Sequence, residues 1–404
     1  MMKSLILLFT SGLMVLLAAC AATGEVEPAS GDLFEVATVV ARPSATPIPL
    51  RETRTPPPIV TPTIPATATH TPTVNPTVLT TTPWPPDPIP TPTPVPPFPG
   101  MIYTTAEGLW RINADWQPEL LFDRRGVLEP NGRRLLYTQD GDIWLADLDT
   151  GSQQNVTNTH DTIECCHHWW PGKPDTFFAI SYNEDDAFES VVGKMTAVTL
   201  DGDYTILAEE TVGAHSISPD GQTIAFEDLD FHPLLYHTSG DIELLTLESD
   251  VLDEAAWISF AFPSWSPDGQ KIAWDIHYGN ETEQWVALAI YHVGEPEIQI
   301  LHPIRPAGYS GGTHPPVWHP NSEWVIFDAV DEVVSEQGSW VIAIDGSFQT
   351  NIGVIRRPVW SPDGRYLLYQ TDEGYFLTAP PDFTSKINLY LPPGARVLDW
   401  QALP

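Results

Sequence analysis

From about residue 101 onward, apolar and polar residues alternate in short runs: Arg134-Leu135-Leu136-Tyr137, Thr223-Ile224-Ala225-Phe226, Lys271-Ile272-Ala273-Trp274, Trp324-Val325-Ile326-Phe327 and Tyr366-Leu367-Leu368-Tyr369. No helical period of 3.6 separates them, so the pattern predicts strands. Each run follows a turn phrase. Trp265-Ser266-Pro267-Asp268-Gly269 returns as Trp360-Ser361-Pro362-Asp363-Gly364, and degraded copies read Ile217-Ser218-Pro219-Asp220-Gly221, Trp318-His319-Pro320-Asn321-Ser322 and Glu129-Pro130-Asn131-Gly132. Proline presets φ at the first corner, aspartate bonds nearby backbone, and glycine takes the positive φ. A third strand follows (Asp142–Leu148, Met195–Leu200, Trp340–Ile344), then a second turn and a short fourth strand such as Tyr204–Leu207. Four antiparallel strands repeated at some 40 to 50 residues describe the blades of a β-propeller.

The anchor prolines stand at 130, 171, 219, 267, 320 and 362, which gives six blades. Two fragments remain. Residues 101–122 read as the second to fourth strands of a blade, and Arg396-Val397-Leu398-Asp399-Trp400 reads as a lone first strand. Joined, they make a seventh blade that closes the ring and leaves no long unpaired edge. The expectation is an all-β chain with one propeller of seven blades, or six if the divergent 160–200 region is not a complete blade.

The Trp-Ser-Pro-Asp-Gly phrase resembles that of the TolB-type β-propeller repeat family, over most of residues 101–404. The resemblance implies a bacterial, exported protein that acts through protein–protein contacts. Some members of that family precede a hydrolase domain. Here the sequence stops at the closing strand, and no appended enzyme domain is expected.

The first residues change the picture of where the propeller works. Met1-Met2-Lys3 followed by Leu5–Phe9 and Leu13–Leu17 reads as a signal peptide over 1–19. Its end, Leu17-Ala18-Ala19-Cys20, resembles the cleavage box of bacterial lipoproteins, in which Cys20 becomes the lipid anchor of the segment 20–42. A multiply acylated cysteine buries enough methylenes for stable anchoring at about 0.8 kcal/mol each. Residues 43–99 are dominated by Pro and Thr and read as a disordered, polyproline-like stalk. The expected location is the membrane surface, facing the periplasm or the cell exterior. Fifty-three acidic against 18 basic residues give a formal charge of −35, which argues against nucleic acid as a partner.

Candidate chemistry concentrates in Glu164-Cys165-Cys166-His167-His168-Trp169-Trp170, on the first strand of a blade, where a propeller lines its channel. Thiols and imidazoles suit Zn²⁺ or copper. Strict strand alternation would place Cys166 with His168 on one face and Cys165 with His167 on the other, two donors each. Buried thiols or a vicinal disulfide are the competing reading, and no resident metal or cofactor is expected; Cys166, His167 and His168 are the metal candidates. Glu129, His167, His215, His314, Arg357 and Asp399 occupy positions near first strands and are the candidate channel-mouth residues. The sequence has no nucleophile elbow, His-Glu-x-x-His run or phosphate-binding glycine loop. The reading is therefore a monomeric, non-catalytic lipoprotein that binds a protein partner in the cell envelope. The alternatives are a small-ligand or metal-dependent enzyme or binder at the channel mouth, and a glycan-binding accessory protein.

Overall fold

The computed structural model describes residues 98–403, except 160, 184–191, 212–213, 246–247, 250–251, 253–254, 281–282, 305–314, 330–337 and 382. The signal peptide, Cys20, the Pro/Thr-rich stretch up to residue 97 and His314 lie outside the described residues. Twenty-eight strands form seven four-stranded antiparallel sheets, so the propeller has seven blades and the divergent region is one of them. Numbered from the composite blade, the inner strands are Arg396–Trp400, Val127–Leu128, Thr162–Trp169, His215–Ile217, Trp257–Trp265, Val317–Trp318 and Arg356–Trp360. The outer strands vary: Gln153–Asn155 and Ile242–Leu244 are short and largely exposed, whereas Tyr204–Thr211 runs eight residues and buries Leu207 and Ala208.

The turn phrase folds as its chemistry dictates. In three copies the serine hydroxyl donates to the aspartate two residues on, at 2.6 Å. The same hydroxyl accepts the amide of Thr223, Lys271 or Tyr366 at 2.9 Å, and the glycine sits at φ near 70°. Gly221 has a second reason to be glycine, because a Cβ there would lie 2.1 Å from the Pro171 carbonyl oxygen. These turns also clasp one another across blades. The Trp170 indole N–H donates to Gly221 O at 2.8 Å, and the His319 ring meets Gly364 O at 2.9 Å.

The core is not a single mass but seven apolar clusters, one at each blade boundary. The seventh residue after the anchor proline supplies a buried aromatic to this packing: Tyr137, Phe226, Trp274, Phe327 and Tyr369, with Tyr103 in the matching place of blade 1. First-strand tryptophans reach back to the preceding blade, Trp169 Nε1 to Val127 O at 2.9 Å and Trp318 Nε1 to Ser264 O at 2.8 Å. Closure comes from Met101–Thr105, which pairs with Arg396–Trp400 in the register Met101↔Trp400 and Thr104↔Arg396. Trp400 packs with Met101, Leu368 and Val397 at the boundary of blades 7 and 1, and its indole donates to Pro99 O at 3.2 Å.

Because Trp400 joins the two ends of the domain, Trp400→Ala is expected to cost about 3–5 kcal/mol, the usual range for emptying a buried aromatic site. Tyr390→Ala, at an 81 % exposed position, is expected within about 0.5 kcal/mol of the parent. Denaturant melts of the two variants check the contrast.

Candidate functional site at the inner wall

Four of the seven inner strands carry one extra residue at the same place. Cys166-His167 in blade 3, Phe262-Pro263 in blade 5 and Arg357-Pro358 in blade 7 each oppose a single residue of the second strand, and blade 1 shifts register at Leu398. In the first three the leading residue is left-handed, with φ of 57° at Cys166, 54° at Phe262 and 51° at Arg357. Such bulges take a residue out of the ladder and re-aim side chains. Non-glycine residues in this region are uncommon and cost backbone energy.

The bulge corrects the expectation that Cys165 and Cys166 face opposite ways. Both half-buried thiols pack on the cluster between blades 3 and 4, with Phe178, Ile180 and Ile217, and neither is in a disulfide. His167 turns the other way, its Nε2 3.3 Å from the Leu136 carbonyl of blade 2. His168 meets His215 of blade 4 edge to face, ring centres 5.2 Å apart, and His215 lies over Phe178 at 3.9 Å. Cys166, His167 and His168 therefore do not converge, and among the described residues no three His, Cys, Asp or Glu side chains stand close enough to hold a metal ion.

The other expected channel-mouth residues are scattered. Glu129 occupies the serine position of the turn phrase, where it is buried and accepts Arg134 Nη2 at 2.6 Å and Nε at 2.8 Å. Its amide donates to Arg134 O just as that of Ser266 does to Lys271 O. The carboxylate is thus engaged in an ion pair within the turn, where Glu129 stands directly before Pro130 as Ser266 stands before Pro267. Asp399 is spent on the Trp400 amide at 2.7 Å and the Gln401 side chain at 2.9 Å. Arg357 is exposed on its bulge, 3.4 Å from Gln370 Oε1.

A second set of polar groups follows the buried aromatics and escaped the sequence reading. The next residue along is polar in six of the seven blades: Thr104, Thr138, Glu227, Asp275, Asp328 and Gln370; in blade 3 it is Ala179. Glu227, Asp275 and Asp328, in three successive blades, are all buried. Asp328 accepts the Ser339 hydroxyl, and Asp275 lies 3.8 Å from His277 Nε2, whose pKa burial lowers to about 4. Glu227 faces the Phe262 bulge, and neither of its carboxyl oxygens is in hydrogen-bonding geometry with a partner. Burial drives its pKa well above the usual carboxylate range, and the nearby amides of Glu227 and Phe262 offset only part of that.

Glu164, the first acid of the Cys-His strand, is fully buried under threonines. Thr162 Oγ1 donates to it at 2.6 Å, while Thr159 Oγ1 lies 3.1 Å from both its oxygens and 3.0 Å from Asp142 Oδ1. One hydroxyl has one proton, so it cannot serve both carboxyls. Burial raises the Glu164 pKa against the threonine hydrogen bonds. At Asp142 the bonds from Asn155, Thr159 and Thr157 outweigh burial and lower it. The consistent arrangement is a neutral Glu164 donating to Thr159, which donates to an ionised Asp142.

No family model matches the sequence, and no curated protein matches it either. Solved structures do. An oligogalacturonate lyase in complex with manganese is 15 % identical with a TM-score of 0.52, over 68 % of this chain and 83 % of that one. A second oligogalacturonate lyase, from Vibrio parahaemolyticus, gives 14 %, 0.52, 68 % and 84 %. A protein from Agrobacterium tumefaciens described as TolB is 18 % identical over 64 % of this chain and 98 % of that one, with a TM-score of 0.37. At these identities the likeness establishes the propeller and not the chemistry. It does overturn the expectation that this chain is not an enzyme, because enzymes carry this fold and the missing nucleophile motifs exclude only other reaction classes.

The buried carboxyls give the pH dependence a definite sign. A folded-state pKa raised above the unfolded value means the native state holds the proton longer, so stability falls as pH rises from the unfolded pKa through the folded one. Glu227→Gln and Glu164→Gln mimic the neutral acid. Each is expected to match the parent near pH 4.5, to be the more stable form at pH 7 to 8, and to flatten the stability–pH curve over that window. Thermal melts across the range check it, and a variant less stable than the parent at pH 8 contradicts the burial argument.

Proposed function

We propose that the chain is an exported, membrane-tethered envelope protein whose propeller works on a small ligand at the inner wall, as a binder or an enzyme. The observation that carries this reading is the His168–His215 pair, two imidazoles from different blades, with the half-buried thiols of Cys165 and Cys166 on the same strained strand as His168. Imidazoles are the side chains best suited to bind, donate or accept a proton near neutral pH. Residues off the regular ladder at an inner strand favour a functional reading over a packing one. The membrane tether rests on the Leu17-Ala18-Ala19-Cys20 resemblance, and the stalk on the composition of 43–99. Among the described residues no helix is long and apolar enough to cross a membrane.

Manganese, present in one similar structure, does not fit the described donors as a resident ion. It prefers oxygen ligands, and this wall offers thiols and two imidazoles without a third converging group. The ligand reading therefore does not depend on a metal. Oligogalacturonate is the first saccharide to try, since two propellers of this fold act on it.

The test is calorimetric titration of the full chain with oligogalacturonate, Zn²⁺ and Mn²⁺, together with NMR titration of the histidine rings. At least one probe is expected to bind saturably or to shift the His168 and His215 signals, with His168→Ala and His215→Ala each weakening it by tenfold or more. A chain that binds none of them, with both rings titrating as isolated imidazoles, contradicts the reading.

A further inference from the structure

The distribution of positive charge is uneven in a way the net charge hides. The chain has only 18 Lys and Arg in 404 residues. On the described residues of the seven inner strands there are three, Arg356, Arg357 and Arg396, all on the two strands that meet at the closing seam between blades 7 and 1. The register makes two of them equivalent: Arg356 pairs with Gln370 and Arg396 with Thr104, each four residues before the strand's tryptophan and each just before the bulge. Ring closure thus brings together residues 40 apart in number but alike in place.

Their partners do not balance them. Arg356 Nη1 is paired with Asp372 at 2.8 Å. Arg357 reaches only the neutral Gln370 amide, at 3.4 Å. Arg396 is half-buried, on a strand packed into the seam, and makes no side-chain hydrogen bond or ion pair. The acid nearest in sequence, Asp399, points its oxygens at Trp400 and Gln401 instead. With 53 acidic residues available, leaving two guanidinium groups on adjacent inner strands without a carboxylate partner is not a matter of supply. A bound anion would supply the compensating charge that these two groups lack among the described residues.

We infer that the seam between blades 7 and 1 is an oxyanion-binding site in which Arg357 and Arg396 receive the carboxylate or phosphate of a small ligand. The guanidinium fork matches either group with two parallel hydrogen bonds. Arg356 is already engaged with Asp372. The site lies on other blades than the His168–His215 pair and does not depend on it.

Malonate and inorganic phosphate are the probes, titrated by calorimetry into the full, chelator-treated chain at low ionic strength. One or both are expected to bind saturably, malonate alone marking a carboxylate ligand and phosphate alone a phosphoryl one. Arg357→Ala and Arg396→Ala are each expected to weaken binding by tenfold or more, and Arg396→Lys, which keeps charge and packing but loses the fork, to recover part of it. Arg365→Ala, on the turn of the same blade 3.6 Å from Asp363, is the control for bulk charge and is expected to change nothing. Saturation by neither probe, or a loss in Arg365→Ala equal to that in Arg357→Ala, overturns the inference.

Discussion

Everything at the inner wall depends on the pairing of Met101–Thr105 with Arg396–Trp400. A propeller blade cannot bury both faces by itself. Each of its apolar clusters is shared with a neighbour, and the seven clusters make sense only if the last boundary is filled as well. The cluster holding Met101, Tyr103, Val397 and Trp400 fills it with residues from both ends of the domain. Loop closure of this length is entropically costly, and it is offset by a whole blade boundary rather than by a single contact.

The closed ring then sets the chemistry of its inner strands. Four of its inner strands carry a one-residue bulge at the same distance from their ends. Those bulges turn His167 toward blade 2 and leave His168 against His215 of blade 4. Buried carboxyls back this wall. Glu227, on the second strand of blade 4, lies against the Phe262 bulge, while Glu164, on the inner strand of blade 3, is ordered by Thr159 and Thr162. The wall is thus a set of imidazoles, thiols and guanidinium groups backed by acids that favour the neutral form.

The fold was legible because its signals are local and repeated. Ser266, Pro267, Asp268 and Gly269 each have a separate mechanical reason to be in their turn, and the repeats restate it. Even the composite blade could be read, since Arg396–Trp400 lacks a partner and 101–122 lacks a first strand. The wall was less legible. Nothing in the residue types of Cys166, Phe262 or Arg357 signals a left-handed backbone, so strict alternation gave the wrong facing for Cys165 and Cys166. The alignment of Glu129-Pro130 with Ser266-Pro267 already placed Glu129 in a turn, but its ion pair with Arg134 was not apparent. The polar residue after each buried aromatic was visible in the repeats, but its burial follows from how blades pack. The adjacency of the strands that carry Arg356 and Arg396 exists only in the closed ring.

Native-state hydrogen exchange tests the central claim most directly, by comparing the amides of Met101–Thr105 and Arg396–Trp400 with those of Thr162–Trp169 and Trp257–Trp265. If closure holds the ring together, the paired amides of the closing strands exchange only through the same global unfolding, with the same free energy and denaturant dependence, as the inner strands of blades 3 and 5. Exchange of the closing strands by a local opening of much lower free energy, while the other inner strands stay protected, would contradict the account.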